Sequence, residues 1–135
     1  MSTGLLVNID VADLETAERF YCDALGLKVG RRFDGAVELL GSGAPIYLLA
    51  KAAGSAASSF TQEIRRYERH WTPVHLDFVV PDLEAALPRA RAAGAVVEID
   101  IRQASWGRIA NLCDPFGNGF CLLQFTGRGY DEIAI

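Results

Sequence analysis

"IDVADLETA" at residues 9–17 returns as "FVVPDLEAA" at residues 78–86, roughly half a chain later. Asp13, Leu14, Glu15 and Ala17 of the first copy recur in register as Asp82, Leu83, Glu84 and Ala86. A repeat at half-length means one structural unit used twice, and the surface where two copies meet is a natural place for a ligand. In each copy an aspartate stands between a strand-like run and a helical run, where a helix N-cap belongs.

Around the first copy, residues 5–11 alternate. Val7, Ile9 and Val11 take one face; Leu6, Asn8 and Asp10 take the other. Leu14, Ala17, Phe20, Tyr21 and Ala24 keep helical spacing until Gly26. Residues 28–32, 36–40 and 46–50 read as short strands separated by glycine-containing turns, of which "GSGAP" is the clearest. The order is βαβββ. In the second copy His75, Asp77 and Val79 share one strand face, with Leu76, Phe78 and Val80 on the other. A helix follows through Leu83, Ala86, Leu87, Ala90 and Ala93 to Gly94, and Pro88 is expected to bend it or shift its start. Residues 96–101, 107–113 and 119–125 complete a second βαβββ unit, with the turn "DPFGNG" before the last strand.

Between the copies lies "AAGSAASS", then Phe60, Ile64, Tyr67 and Trp71 at helical spacing behind a Ser59–Gln62 capping box. This pattern predicts a connecting helix over 60–70. The expected organisation is a first module at 1–51, a linker with that helix at 52–73, a second module at 74–126 and a polar tail at 127–135. Together they are expected to form one compact domain, with Arg128 and Asp131 candidates for pairing in the tail.

With 135 residues, half of them hydrophobic, the chain has enough apolar material for a core. A net charge of −4 and no Lys/Arg-rich run argue against nucleic acid as a partner. No apolar stretch reaches the roughly 18 residues that span a membrane, and the N-terminus lacks a secretory pattern. Cys22, Cys113 and Cys121 have no metal-finger spacing and fit reduced thiols in a cytoplasmic setting.

Residues 7–29, 74–97 and "NLCDPFGNGFCLLQF" at 111–125, in this order and spacing, resemble the vicinal oxygen chelate superfamily of glyoxalases, bleomycin resistance proteins and extradiol dioxygenases. The resemblance implies an α+β fold of two tandem βαβββ modules, whose curled mixed sheets enclose a shared cavity. It also implies a homodimer. In metal-using members four His, Gln or Glu ligands line that cavity, one from the first and one from the last strand of each module, and leave open positions on a divalent ion.

Carried onto this chain, the family's first-strand ligand falls seven residues before each capping aspartate, at Leu6 and His75. The last-strand positions fall at Tyr47 and Cys121. Leucine binds no metal, and Cys121 stands where the pattern has Glu. Asn8, Asp10 and Asp77 share strand faces with these positions, and Glu38 is a further reserve. His75 with Asp77 would need to lean together, since same-face neighbours on one strand lie roughly 7 Å apart. His75 with Cys121 would favour a thiophilic ion such as zinc.

Two readings follow. The first is a binding module without a cofactor. Its cavity holds a small apolar or aromatic molecule against Leu6, Asn8, Tyr47, His75, Asp77 and Cys121. The second is a divalent-metal enzyme, a lyase, isomerase or dioxygenase of the glyoxalase type, using His75 as ligand or base. Trp71 and Trp106 are candidates for core, interface or ligand stacking.

Overall fold

The computed structural model describes residues 2–135 and divides into two compact units, Met1–Glu68 and Arg69–Ile135. In the first, β1 (Val7–Val11), α1 (Leu14–Leu25), β2 (Lys28–Phe33), β3 (Ala36–Leu40) and β4 (Ile46–Ala50) build a mixed sheet in the order β1-β4-β3-β2. In the second, β5 (Leu76–Val79), α2 (Leu83–Ala93), β6 (Val96–Ala104), β7 (Gly107–Cys113) and β8 (Gly119–Phe125) repeat the plan as β5-β8-β7-β6. Each sheet joins its first strand parallel to its last and stays open at both edges. The fold is α+β, built from the two βαβββ modules that the repeat predicts.

The helices form where the duplicated motif places them. Gly26 closes α1 at φ 69°, a left-handed conformation that costs glycine little, and its N–H donates to the Cys22 carbonyl. Asp82 accepts a hydrogen bond from the Ala85 N–H, as an N-cap should. Asp13 holds the corresponding position but accepts from the Thr16 hydroxyl instead. α2 runs through Pro88 without interruption. The proline is exposed, so the Glu84 carbonyl that loses its helical donor is on the solvated side.

Helix α1 buries Ala17, Phe20, Tyr21 and Ala24 and packs on β3 and β4. Val37, Leu39, Ile46 and Leu48 are buried beside it. Leu83, Leu87 and Ala90 of α2 lie against β7 and β8, where Ala110, Leu112, Phe120 and Leu122 are buried. Burying a leucine side chain contributes about 1.5–3 kcal/mol, so these layers hold each unit together. Strand side chains alternate between faces, and the intervening residues carry the polar groups described below.

The segment between the modules contains no helix, which corrects the helix predicted over 60–70. Phe60 is 97% exposed and Trp71 77% exposed, so the spaced aromatics have no apolar surface to bury against, and a short helix without one is marginal. The backbone instead folds back through a single bridge, Ala56 to Ile64. Arg65 holds it by donating to the carbonyls of Ala56 and Ala57 and to Ser55 Oγ. In the tail, Gly129–Glu132 forms a 3-10 helix in which Arg128 pairs with Glu132 rather than with Asp131. Trp106 packs against Phe125 and Tyr130, with ring centroids 6.2 and 5.2 Å away, and is a packing residue. No helix among the described residues is long and apolar enough to cross a membrane.

Candidate functional site

In the second unit, the parallel pairing of β5 with β8 sets Asp77 opposite Cys121, and the β7–β8 ladder sets Asn111 opposite Cys121. Directly opposed residues point to the same face, so Asp77, Cys121 and Asn111 form one row across three strands. His75 stands just before β5, off the ladder. That freedom lets it lean toward Asp77, bringing Nε2 to 3.2 Å from Oδ1 despite the wider spacing of their backbones. One ligand atom from each of His75, Asp77 and Cys121 lies within 4.8 Å of the others.

Cys121 is 5% exposed. Burial, and then the charge of Asp77 and its hydrogen bond, push the thiol up to about 11, because each disfavours a thiolate there. At neutral pH the sulfur is therefore a protonated, soft group, and it is not a nucleophile.

An open cleft includes His75, Cys121, Trp71, Leu112 and Phe120 in its walls. Arg69 closes one side. Its Nε and Nη2 donate to the Glu98 carboxylate at 2.6 and 3.1 Å, and its Nη1 donates to the His70 carbonyl. The guanidinium lies over Gly119, where a Cβ would come within 2.6 Å of Nη2. Glycine at that position thus makes room for the cation.

The first unit carries the corresponding row. Asn8 lies opposite Tyr47, and Tyr47 lies opposite Glu38. Glu38 is only 6% exposed on a strand and is fully committed. Arg31 grips it through Nε and Nη2 at 3.2 and 2.8 Å and through its backbone N–H, and the Tyr47 hydroxyl donates to it at 2.7 Å. The hydrogen bonds from Arg31 hold the Glu38 carboxyl well below its usual range, at about 2. Bonding to Glu38 pushes the Tyr47 phenol up. Gly30 is required beside this pair, since a Cβ would meet Glu38 Oε1 at 2.5 Å. Asp10 is taken by Arg65 Nε at 2.7 Å. Leu6, immediately before β1, is half-exposed.

The sequence-derived residues thus fall into two groups. His75, Asp77 and Cys121 are brought together in the second unit. Asn8 and Tyr47 are neighbours in the first, where Leu6 supplies no donor. The four-ligand His, Gln and Glu set of metal-using relatives is not matched. Both reserve carboxylates of the first unit, Asp10 and Glu38, are neutralised by arginines, and the Tyr47 hydroxyl is occupied by Glu38 and Arg31. Sequence reasoning missed Arg31, Arg65, Arg69, Glu98, Asn111 and Arg102. Glu38 inside the apolar run "AVELL" carried a signal, because a carboxylate buried on a strand needs a cation nearby.

A family model described as "Glyoxalase-like domain" matches residues 6–123. Among solved structures, the fosfomycin resistance protein FosX of Listeria monocytogenes is similar over 99% of this chain and 100% of its own, at TM-score 0.74 and 19% identity. A glyoxalase/bleomycin resistance protein/dioxygenase family enzyme of Burkholderia phytofirmans PsJN is similar over 90% of this chain and 97% of its own, at TM-score 0.70 and 21% identity. A hypothetical protein of S. aureus is similar over 92% and 94%, at TM-score 0.71 and 22% identity. At these identities the likeness establishes the fold. No curated protein matches the chain.

Proposed function

The chain belongs to the glyoxalase-like domain family of the vicinal oxygen chelate superfamily, and we propose that it binds a small apolar or aromatic molecule without a metal. The ligand lies in the cleft of the second unit. Trp71 supplies apolar surface there, and His75, Asp77 and Cys121 supply polar contacts. This reading also includes a homodimer in a reducing, cytoplasmic setting suited to three free cysteines.

The observation that carries the proposal is the fate of the oxygen donors in the first unit. Arginines neutralise Asp10 and Glu38, and Glu38 and Arg31 occupy the hydroxyl at the ligand position Tyr47. A cation has no open carboxylate to bind there, whereas a cleft that sets an aromatic surface beside several polar groups suits a small organic ligand. His75 is the main polar handle, with an imidazole that donates or accepts according to tautomer.

A second reading rests on the His75–Asp77–Cys121 cluster. Its nitrogen, oxygen and sulfur donors suit a thiophilic ion such as zinc, and three protein ligands would leave a position open for a substrate oxygen. The protein would then be a lyase, isomerase or dioxygenase of the glyoxalase type. Metal analysis of protein purified without an affinity tag separates the two readings. The binding proposal expects less than stoichiometric metal in wild type, with no difference in His75→Ala. Stoichiometric metal lost on that substitution overturns it.

A further inference from the structure

The two polar rows differ at one position, and that difference identifies a charge preference for the ligand. Glu38 and Asn111 occupy corresponding places, each opposite the last-strand residue that itself faces Asn8 or Asp77. Each also receives a guanidinium from the neighbouring edge strand. Arg31 lies within the irregular stretch of β2 and grips Glu38; Arg102 ends the irregular stretch of β6 and donates through Nη2 to Asn111 Oδ1 at 2.7 Å.

In the first unit the guanidinium is matched by a carboxylate of the same chain. In the second, a neutral amide stands in that place. The single hydrogen bond to Asn111 leaves Arg102 without an ion-pair partner among the described residues, and its side chain is exposed. Asn111 and Cys121 line the cleft, and Arg102 lies close enough to Cys121 to oppose the upward push on its thiol. An amide accepts one such hydrogen bond but offsets no charge. A planar guanidinium retains paired N–H donors that suit an oxyanion.

We propose that Arg102, steered by Asn111, anchors an acidic group of the ligand, a carboxylate or a phosphate-type oxyanion, at the mouth of the second-unit cleft. The Arg31–Glu38 pair shows the same contact made within the chain. This inference deepens the small-molecule reading and rests on it: the ligand combines an apolar or aromatic body, held beside Trp71, with one anionic end.

The test uses the full chain and two probes of nearly equal shape, benzoate and the neutral benzamide, titrated calorimetrically. Wild type is expected to bind benzoate at least about tenfold more tightly, and added sodium chloride should erode the difference. Arg102→Gln should remove the preference. Asn111→Glu should remove it too, because the new carboxylate occupies Arg102 as Glu38 occupies Arg31. Arg91→Gln, which removes an exposed charge elsewhere, should retain it. Circular dichroism confirms that each variant is folded. The salt series on wild type gives an independent readout should a variant fail to fold. Equal binding of the two probes by wild type, or a preference that survives both site substitutions, overturns the anion inference and leaves the small-molecule reading standing. Binding of neither probe overturns both.

Discussion

Cys121 offers the sharpest test of the site's electrostatics. An ordinary thiol titrates at 9.0, whereas burial and Asp77 push this one up to about 11. At pH 8 an ordinary thiol is about one-tenth ionised, whereas Cys121 is ionised to about one part in a thousand, on the order of a hundredfold less reactive thiolate. The perturbation is Asp77→Asn, which removes the anionic neighbour and leaves burial, the largest cause, in place. The thiol should then titrate lower but still above 9.0, and alkylation at pH 8 should quicken several-fold. The assay is iodoacetamide labelling across pH 7–12, followed peptide by peptide by mass spectrometry so that Cys22 and Cys113 are read separately. The midpoint of the rate profile reports the acid constant, so partial shielding of the sulfur slows the reaction without moving it. A Cys121 midpoint at or below 9 in wild type would refute the reasoning, because a thiolate would then be accessible near neutrality and the metal reading would gain. An unchanged midpoint in Asp77→Asn would show that the carboxylate does not act on the thiol.

Two further outcomes follow from the geometry. The carboxyl of Glu38 titrates at about 2 when folded, below its ordinary 4.5, so the stability it contributes is present above 4.5 and is lost as pH falls through about 2. Calorimetric melting of Glu38→Gln should therefore show a lower Tm at pH 7 and a flatter pH dependence between about 4.5 and 2; parallel curves for variant and wild type would contradict the Arg31–Glu38 pairing. At Gly107, which pairs with Phe125, a Cβ would sit 2.1 Å from the Gln124 backbone carbonyl oxygen. Gly107→Ala should cost about 1–3 kcal/mol by urea denaturation, and a neutral result would mean that this end of the β7–β8 ladder is not closed as described.

The duplicated fold was legible because its determinants are local. An aspartate cap, a helical stripe ending in glycine and strand alternation recur in both copies, and each is fixed by backbone chemistry within a few residues. The linker helix failed for the complementary reason. Its spacing was helical, but spacing stabilises a helix only if another surface covers the stripe, and Phe60 is left in solvent. Part of the site was legible as well. His75 and Cys121 follow from their offsets to the cap and the turn, which the repeat defines, and Asp77 from sharing a strand face with His75. The arginines were not found, because Arg31 with Glu38, Arg65 with Asp10 and Arg69 with Glu98 are joined by sheet register and by the path of the linker.

The strand pairing also bears on how the chain acquires its structure. Every ladder closes inside its own copy: β1 waits only for β4, and β5 only for β8. All strands of the first copy have therefore been synthesised once residue 50 is made, before any strand of the second exists. The most distant pairing in either half spans only about forty residues, a modest loop-closure cost that favours fast folding. During translation the first sheet can form while the second is still being made, without leaving an edge that must wait for a later strand of the other half. Duplication thus gives this protein a vectorial route to its native state, in which an error in one half need not be propagated through the hydrogen-bond ladders of the other.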